Sequence, residues 1–309
     1  MQFEWKGVFP AITTKFTSDD KLDFQTFDHG LQAQLAAGIH GVILGGSLGE
    51  ASTLTSREKD ELLRFTVAQI NGKVPVIMNI AERATRDAVD AAARAADLGA
   101  DGLMLLPPMQ YAADDRETVM FLKRVARSSP LPVMLYNNPA SYRIFITLAM
   151  LQELEEIPAI QAIKDSTRDI TNITRLRNAF GDRYSLFTGV DTLGMESLLM
   201  GADGWVAGLV CAFPEETVAI YQLICEKRYE EALRIHRWFL PVLELDVSDK
   251  LVQNIKLAEL LTGLGTEYVR EPRLPLDDEE RDRVIQIIDQ ALKSRPVLPA
   301  YRKKNVIQT

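Results

Sequence analysis

A lysine, a tyrosine and a glycine-rich loop carry the chemical interest of this 309-residue chain. Lys164 stands near the end of AIQAIKDS, residues 159–166, a run that is otherwise mostly apolar. An ammonium placed there loses water, which lowers its pKa and frees a neutral amine to attack a carbonyl carbon. The bland alternative is a lysine whose methylenes follow the strand while its charge reaches a carboxylate such as Asp165. Lys15, just after Thr13 and Thr14, is a rival, but its place at a loop start predicts a solvated side chain. Tyr136 ends LPVMLYN, residues 131–137. A phenol at that place can shuttle protons to and from an imine, or it can be a core tyrosine with a satisfied hydroxyl. The loop GGSLGE, residues 45–50, offers the backbone of Gly46, the hydroxyl of Ser47 and the amide of Leu48 to a substrate carboxylate. Glu50 is expected to order that loop rather than to do chemistry.

Such residues need a scaffold that brings them to one face. Short apolar runs recur at 7–14, 41–46, 74–81, 102–106, 131–137, 159–166, 184–191 and 204–209. Being apolar on both faces, they suit strands of a parallel sheet covered on both sides. Amphipathic stretches lie between and after them, at 23–37, 56–71, 85–98, 116–128, 148–155, 170–180, 192–200 and 215–227. Thr55 and Thr85 read as helix starts, and Gly38 and Gly99 as helix ends. Eight strand–helix units predict an α/β fold, a (β/α)8 TIM barrel over residues 1–227. A doubly wound open sheet is the competing architecture, but no phosphate-binding glycine fingerprint supports it. Past residue 227 the rhythm changes to helices at 229–245, 248–264 and 278–293, a helical appendix spanning 228–309 whose tail after Pro296 is expected to be loosely held.

In a TIM barrel the working residues sit at the C-terminal ends of the strands. That rule gathers Gly46, Ser47, Leu48, Tyr136, Lys164, Gly189, Asp191 and Ala207 on one face. Composition excludes several other functions. A net charge of -8 argues against a general grip on nucleic acid. His29, His40 and His236 lack any ligand spacing, so no metal site is expected. Cys211 and Cys225 read as reduced core thiols of a cytoplasmic protein, and no segment reads as an export signal or a membrane span.

In order and spacing, GGSLGE, YNNP at 136–139, IKDS at 163–166, GVD at 189–191 and GADG at 201–204 resemble the dihydrodipicolinate synthase / N-acetylneuraminate lyase superfamily. The resemblance runs along nearly the whole chain. It implies that Lys164 forms an imine with the C2 carbonyl of a 2-oxo acid such as pyruvate, and that Tyr136 relays protons. It implies that Ser47 and Leu48 bind the substrate carboxylate. It also implies a homotetramer with no metal and no diffusible cofactor, the covalent imine being the electron sink.

The departures from the pattern narrow the substrate. Dihydrodipicolinate synthases resemble TTGE in the loop, and here the second threonine is Leu48. The arginine they carry two residues past the proline is Ser141, and Arg143 is not a simple substitute. Their paired tyrosines after the fourth strand become the run 108–111, where Tyr111 is an approximate match. Sialic acid lyases have a serine where Ala207 or Gly208 stands. GVFPAITTKF, YNNPASY, KLVQNIKLAELLTGLG (250–265) and RLPL (273–276) are similar instead to a catabolic branch, the 1-pyrroline-4-hydroxy-2-carboxylate deaminases of hydroxyproline breakdown. The expected substrate is therefore a small 2-oxo acid or its cyclic imine. Deoxy sugar acid dehydratase or aldolase chemistry is the alternative, and a barrel that only binds ligand comes last.

Overall fold

Eight segments with almost no exposed position align as parallel strands in the computed structural model, which describes residues 3–108 and 110–301. They are β1 (Gly7–Pro10), β2 (Val42–Leu44), β3 (Val76–Ile80), β4 (Gly102–Leu105), β5 (Val133–Asn137), β6 (Ile160–Asp165), β7 (Ser185–Thr188) and β8 (Gly204–Ala207). Each falls inside one of the apolar runs. Only Gln161 and Ser185 are less than fully buried, as expected of strands covered on both faces. The strands neighbour one another in the order β1-β8-β7-β6-β5-β4-β3-β2. A bridge between Ala11 and Ile43, with the Ile12 amide donating to the Ile43 carbonyl at 3.0 Å, joins β1 to β2. The ring excludes the doubly wound alternative and establishes the (β/α)8 barrel.

Helices follow the strands where amphipathic stretches were expected, with ends within two residues of the expected bounds. Thr55 caps Ser56–Ile70 in a full capping box with Glu58. Thr85 differs from expectation: it is the first helical residue, Ala84 takes the cap position, and no side chain caps this end. Gly38 ends Phe24–Ala37 in the left-handed conformation with φ 94°, where a Cβ would be strained.

The C-terminal helices are Tyr229–Leu243, Leu251–Leu261 and Asp278–Lys293. The first two are shorter than expected because a 3-10 turn, Glu244–Val247, takes up the junction. Helix Leu251–Leu261 is bound to the strand-end loops by buried ion pairs. Lys256 pairs with Glu50, both fully buried, and Lys15 pairs with Glu259 while also donating to the Thr13 hydroxyl. Lys15 is therefore not solvated. Its partner lies 244 residues away, which is why a reading by local position failed. Glu50 also accepts from the Arg270 amide at 3.1 Å, so it orders the GGSLGE loop by clamping it to the C-terminal segment. Removing one member of such a buried pair strands the other charge, at a cost of roughly 3–5 kcal/mol.

Cys211 is buried but Cys225 is exposed, so only one of the two is a core thiol. Leu298 and Tyr301 pack against the core, and Arg228 donates to the Ala300 carbonyl at 2.6 Å. The start of the tail is thus held, while residues 302–309 of it, like Met109 of the run 108–111, lie outside the described residues. Among the described residues no helix is long and apolar enough to cross a membrane.

Candidate active site

The ladder between β5 and β6 sets Tyr136 directly beside Lys164. The Lys164 ammonium lies 4.0 Å from the centroid of the Tyr136 ring. Both side chains are buried, at 6% exposure each, yet both open into a cavity of about 380 Å³ at the C-terminal face of the barrel. Burial lowers the Lys164 pKa to about 8, against the opposing pull of the Asp246 and Asp191 charges. A usable fraction of neutral amine therefore exists near neutral pH, the condition for nucleophilic attack on a carbonyl. Gly189 leaves room for this side chain, since a Cβ there would collide with the lysine methylenes and the Ser166 hydroxyl.

Tyr136 accepts a hydrogen bond from the Asn138 side-chain amide at 2.9 Å, and burial pushes its pKa up. The ring of Tyr142 meets it edge-on, with centroids 5.6 Å apart. The Tyr142 hydroxyl in turn contacts the Ser47 hydroxyl. Ser47, Tyr142 and Tyr136 thus form a polar and aromatic edge beside the lysine, in which the Ser47 and Tyr142 hydroxyls are hydrogen-bonded and the two tyrosines touch through their rings.

Gly46, Ser47 and Leu48 line the same cavity. Among the described residues no protein group engages the Ser47 or Leu48 backbone amide, so both remain available to an anion. The Leu48 side chain is buried and, with Ala11, Met104 and Val206, makes the apolar part of the wall. Gly189 and Ser141 also line the cavity.

Two residues of the expected set stand behind the wall. Ala207 is wholly buried in β8 opposite Pro10, and it is Val206 and Gly208 that border the cavity. Asp191 is buried with its carboxylate already engaged: it accepts from Trp205 Nε1 at 3.0 Å, from Gly208 N at 3.1 Å and from Leu209 N at 2.7 Å. It orders the ends of β7 and β8 rather than facing a ligand. Tyr111 is 58% exposed and absent from the lining.

Two ionisable lining residues had no role in the sequence reading, Arg168 and Asp246, and neither had Tyr142, which packs against Tyr136 beside the cavity. Tyr142 was within the YNNPASY motif but had no assigned role. Arg168 sits at the exposed rim, two residues past IKDS, with a positive φ of 61°. Asp246 stood out only as a break between helices, because its chemistry comes from the tertiary fold.

Known proteins agree with this geometry. The model of the dihydrodipicolinate synthetase family matches residues 4–291. A 4-hydroxy-tetrahydrodipicolinate synthase of Exiguobacterium sibiricum is 34% identical over 272 residues, covering 88% of this chain and 92% of that one. An uncharacterized DapA-like lyase of Halobacterium salinarum is 30% identical, covering 89% and 90% of the two chains. Among solved structures, dihydrodipicolinate synthase DapA-2 of Bacillus anthracis superposes with a TM-score of 0.90 at 27% identity, over 96% of this chain and 100% of that one. YagE, a prophage protein of E. coli K12 solved in complex with pyruvate, superposes with a TM-score of 0.88 at 25% identity, over 93% and 99%. The chain belongs to the dihydrodipicolinate synthetase family and is an enzyme of its lysine Schiff-base type, a lyase whose covalent imine takes the place of an external cofactor.

Proposed function

We propose that Lys164 is the imine-forming lysine and that the substrate is a small 2-oxo acid or its cyclic imine, specifically 1-pyrroline-4-hydroxy-2-carboxylate. The carrying observation is the desolvated Lys164 amine above the Tyr136 ring at the closed end of a cavity. The substrate carboxylate is assigned to the Gly46–Ser47–Leu48 turn, whose open Ser47 and Leu48 amides suit an anion, with the Ser47 hydroxyl beside them held by Tyr142. Gly189 gives the lysine its clearance, while Asp191 and Ala207 support the wall from behind. Tyr136 relays protons at C2 as Lys164 adds and the original C2 substituent leaves.

With a ring imine as substrate, Lys164 enters by transimination and the ring nitrogen departs from C2. Loss of the C3 proton and the C4 hydroxyl gives a conjugated iminium; loss of a C5 proton turns it into the conjugated enamine, and protonation at C3 leaves an imine at C5. Hydrolysis then releases ammonia and 2-oxoglutarate semialdehyde and returns the free lysine. The net change consumes one water. The apolar wall of Leu48, Ala11, Met104 and Val206 supports a compact substrate with few hydroxyls. Ser141, in place of an arginine, supports a reaction without a second carboxylate substrate.

Two alternatives have their own support. Relatives named 4-hydroxy-tetrahydrodipicolinate synthase favour condensation of pyruvate with an aldehyde. The same elimination chemistry would serve a 2-keto-3-deoxy sugar acid dehydratase, and the imine would serve an aldolase. One comparison separates them: ammonia released from the hydroxypyrroline carboxylate supports the deaminase. Turnover of only a deoxy sugar acid, or only of pyruvate with an aldehyde, refutes it.

Residues 1–227 are assigned the catalytic barrel and 228–309 an appendix, with the amendment that the appendix supplies part of the cavity wall. Assembly as a homotetramer is supported by the outward apolar side chains of Tyr111 and Met120, 58% and 60% exposed.

A further inference from the structure

We propose that Asp246 is the acid–base residue of the elimination: its carboxylate takes the proton from C3 of the Lys164-bound substrate and gives it to the hydroxyl leaving C4. The inference rests on the elimination chemistry proposed above. Its starting point is the placement of a carboxyl group that no strand of the barrel carries. The 3-10 turn Glu244–Val247 lowers Asp246 into the cavity wall beside Lys164.

Its position is built. One carboxylate oxygen accepts from the Asp191 amide at 3.4 Å, and the other lies where Gly208 leaves space, 2.7 Å from where a Cβ would stand. Any larger residue at 208 would push the carboxyl away. Asp246 reaches the lysine from the side of β7 and β8, whereas Tyr136 flanks it from β5. The two proton carriers therefore serve different faces of a substrate fixed at Lys164.

The other ionisable groups around it fit the role less well. Arg168 at the rim offers only N–H donors, Asp249 is exposed, and Tyr136 is held protonated by burial. Asp191, next to Asp246, spends its carboxylate on three N–H donors, which oppose the upward push of burial on its own pKa and leave it badly placed to move a proton. Asp246 accepts one long N–H bond, and burial with Asp191 close by raises its pKa to about 8, so a proton on the pair favours Asp246.

The proton ledger closes. As the iminium forms on Lys164, with Tyr136 serving the departing ring nitrogen, its positive charge favours ionisation of Asp246, whose proton leaves to the water of the open cavity. The carboxylate then takes the C3 proton, C3=C4 forms, the C4–O bond breaks and the same proton leaves in water. Nothing is oxidised or reduced.

The test compares Asp246→Asn with wild type in two assays. In the first, pyruvate is reduced onto Lys164 with borohydride; in the second, ammonia release from 1-pyrroline-4-hydroxy-2-carboxylate is followed. Expected is adduct formation within about threefold of wild type and turnover lower by about 10²–10⁴-fold, the range of lost acid–base catalysis. Turnover within threefold of wild type overturns the proposal. So does an equal loss in both assays by a variant that melts like wild type, because Asp246 would then only position the lysine. If the Asn variant melts early, Asp246→Ser repeats the comparison. If wild type traps pyruvate but releases no ammonia, the substrate reading has failed. The same pair is then compared on a 2-keto-3-deoxy sugar acid, whose water loss poses the same demand, and wild-type-like turnover there also overturns the role of Asp246.

Discussion

At the residue scale, the proposed chemistry turns on one amine and the groups that set its proton. Burial lowers the Lys164 pKa to about 8, so the neutral amine is the minor form at pH 6 and the major form at pH 9. The rate of borohydride-trapped adduct formation with pyruvate is therefore expected to rise with pH through about 8 and then level off. A rate already flat from pH 6 would contradict a depressed lysine. The same burial has a cost. A lysine whose folded pKa lies below its unfolded value destabilises the native state wherever the unfolded chain would be protonated, which is below the model-peptide value of about 10.4. Lys164→Met should abolish turnover and raise Tm by roughly 1.5–3 °C at neutral pH, the shift of about one to two kcal/mol in a chain of this size. Tyr136→Phe keeps the ring under the ammonium but loses the hydroxyl, and should lower kcat by about 10²–10⁴-fold without lowering Tm. The strand-end places of Lys164 and Tyr136 were legible in the sequence because strand ends are local features. Lys15 was misread, since what buries it is Glu259, far along the chain.

At the element scale, the eight strands were legible because a strand covered on both faces leaves a run of apolar residues that little else produces. Helix ends were legible where a side chain caps them, as at Thr55, and were misread where a threonine merely begins the helix, as at Thr85. The junction Glu244–Val247 resisted reading because a 3-10 turn carries no periodic signature of its own. Yet that turn places Asp246. The GGSLGE loop depends on an element from the other end of the chain, since Lys256 on helix Leu251–Leu261 meets the buried Glu50. Glu50→Gln should therefore cost roughly 3–5 kcal/mol in unfolding free energy, measured by urea denaturation. It should also raise the KM for the 2-oxo acid more than it lowers kcat, because the carboxylate-binding turn loosens while Lys164 stays in place. Unchanged stability would mean that the pair does not hold the loop.

At the scale of the whole molecule, the barrel and the C-terminal helices work as one unit. Lys15–Glu259, Lys256–Glu50 and the Asp246 wall all cross between the two parts. A chain ended at residue 227 is expected to lose both its cooperative thermal transition and its pyruvate adduct, despite keeping every strand. An intact melt for that shorter chain would show that the appendix is dispensable. The identity of the substrate is less legible than the fold or the place of Lys164, for a physical reason. Imine formation needs only Lys164 and its surroundings, whereas selection beyond C3 depends on a wall assembled from Leu48, Ser141, Arg168 and Asp246, which lie in four separate segments.

The most direct measurement is peptide mass spectrometry of the enzyme after borohydride reduction in the presence of pyruvate. The expected result is one reduced pyruvyl adduct on Lys164, absent from the Lys164→Met variant. An adduct on Lys15 or another lysine, or no adduct at all while the enzyme turns over, would contradict Lys164 as the nucleophile.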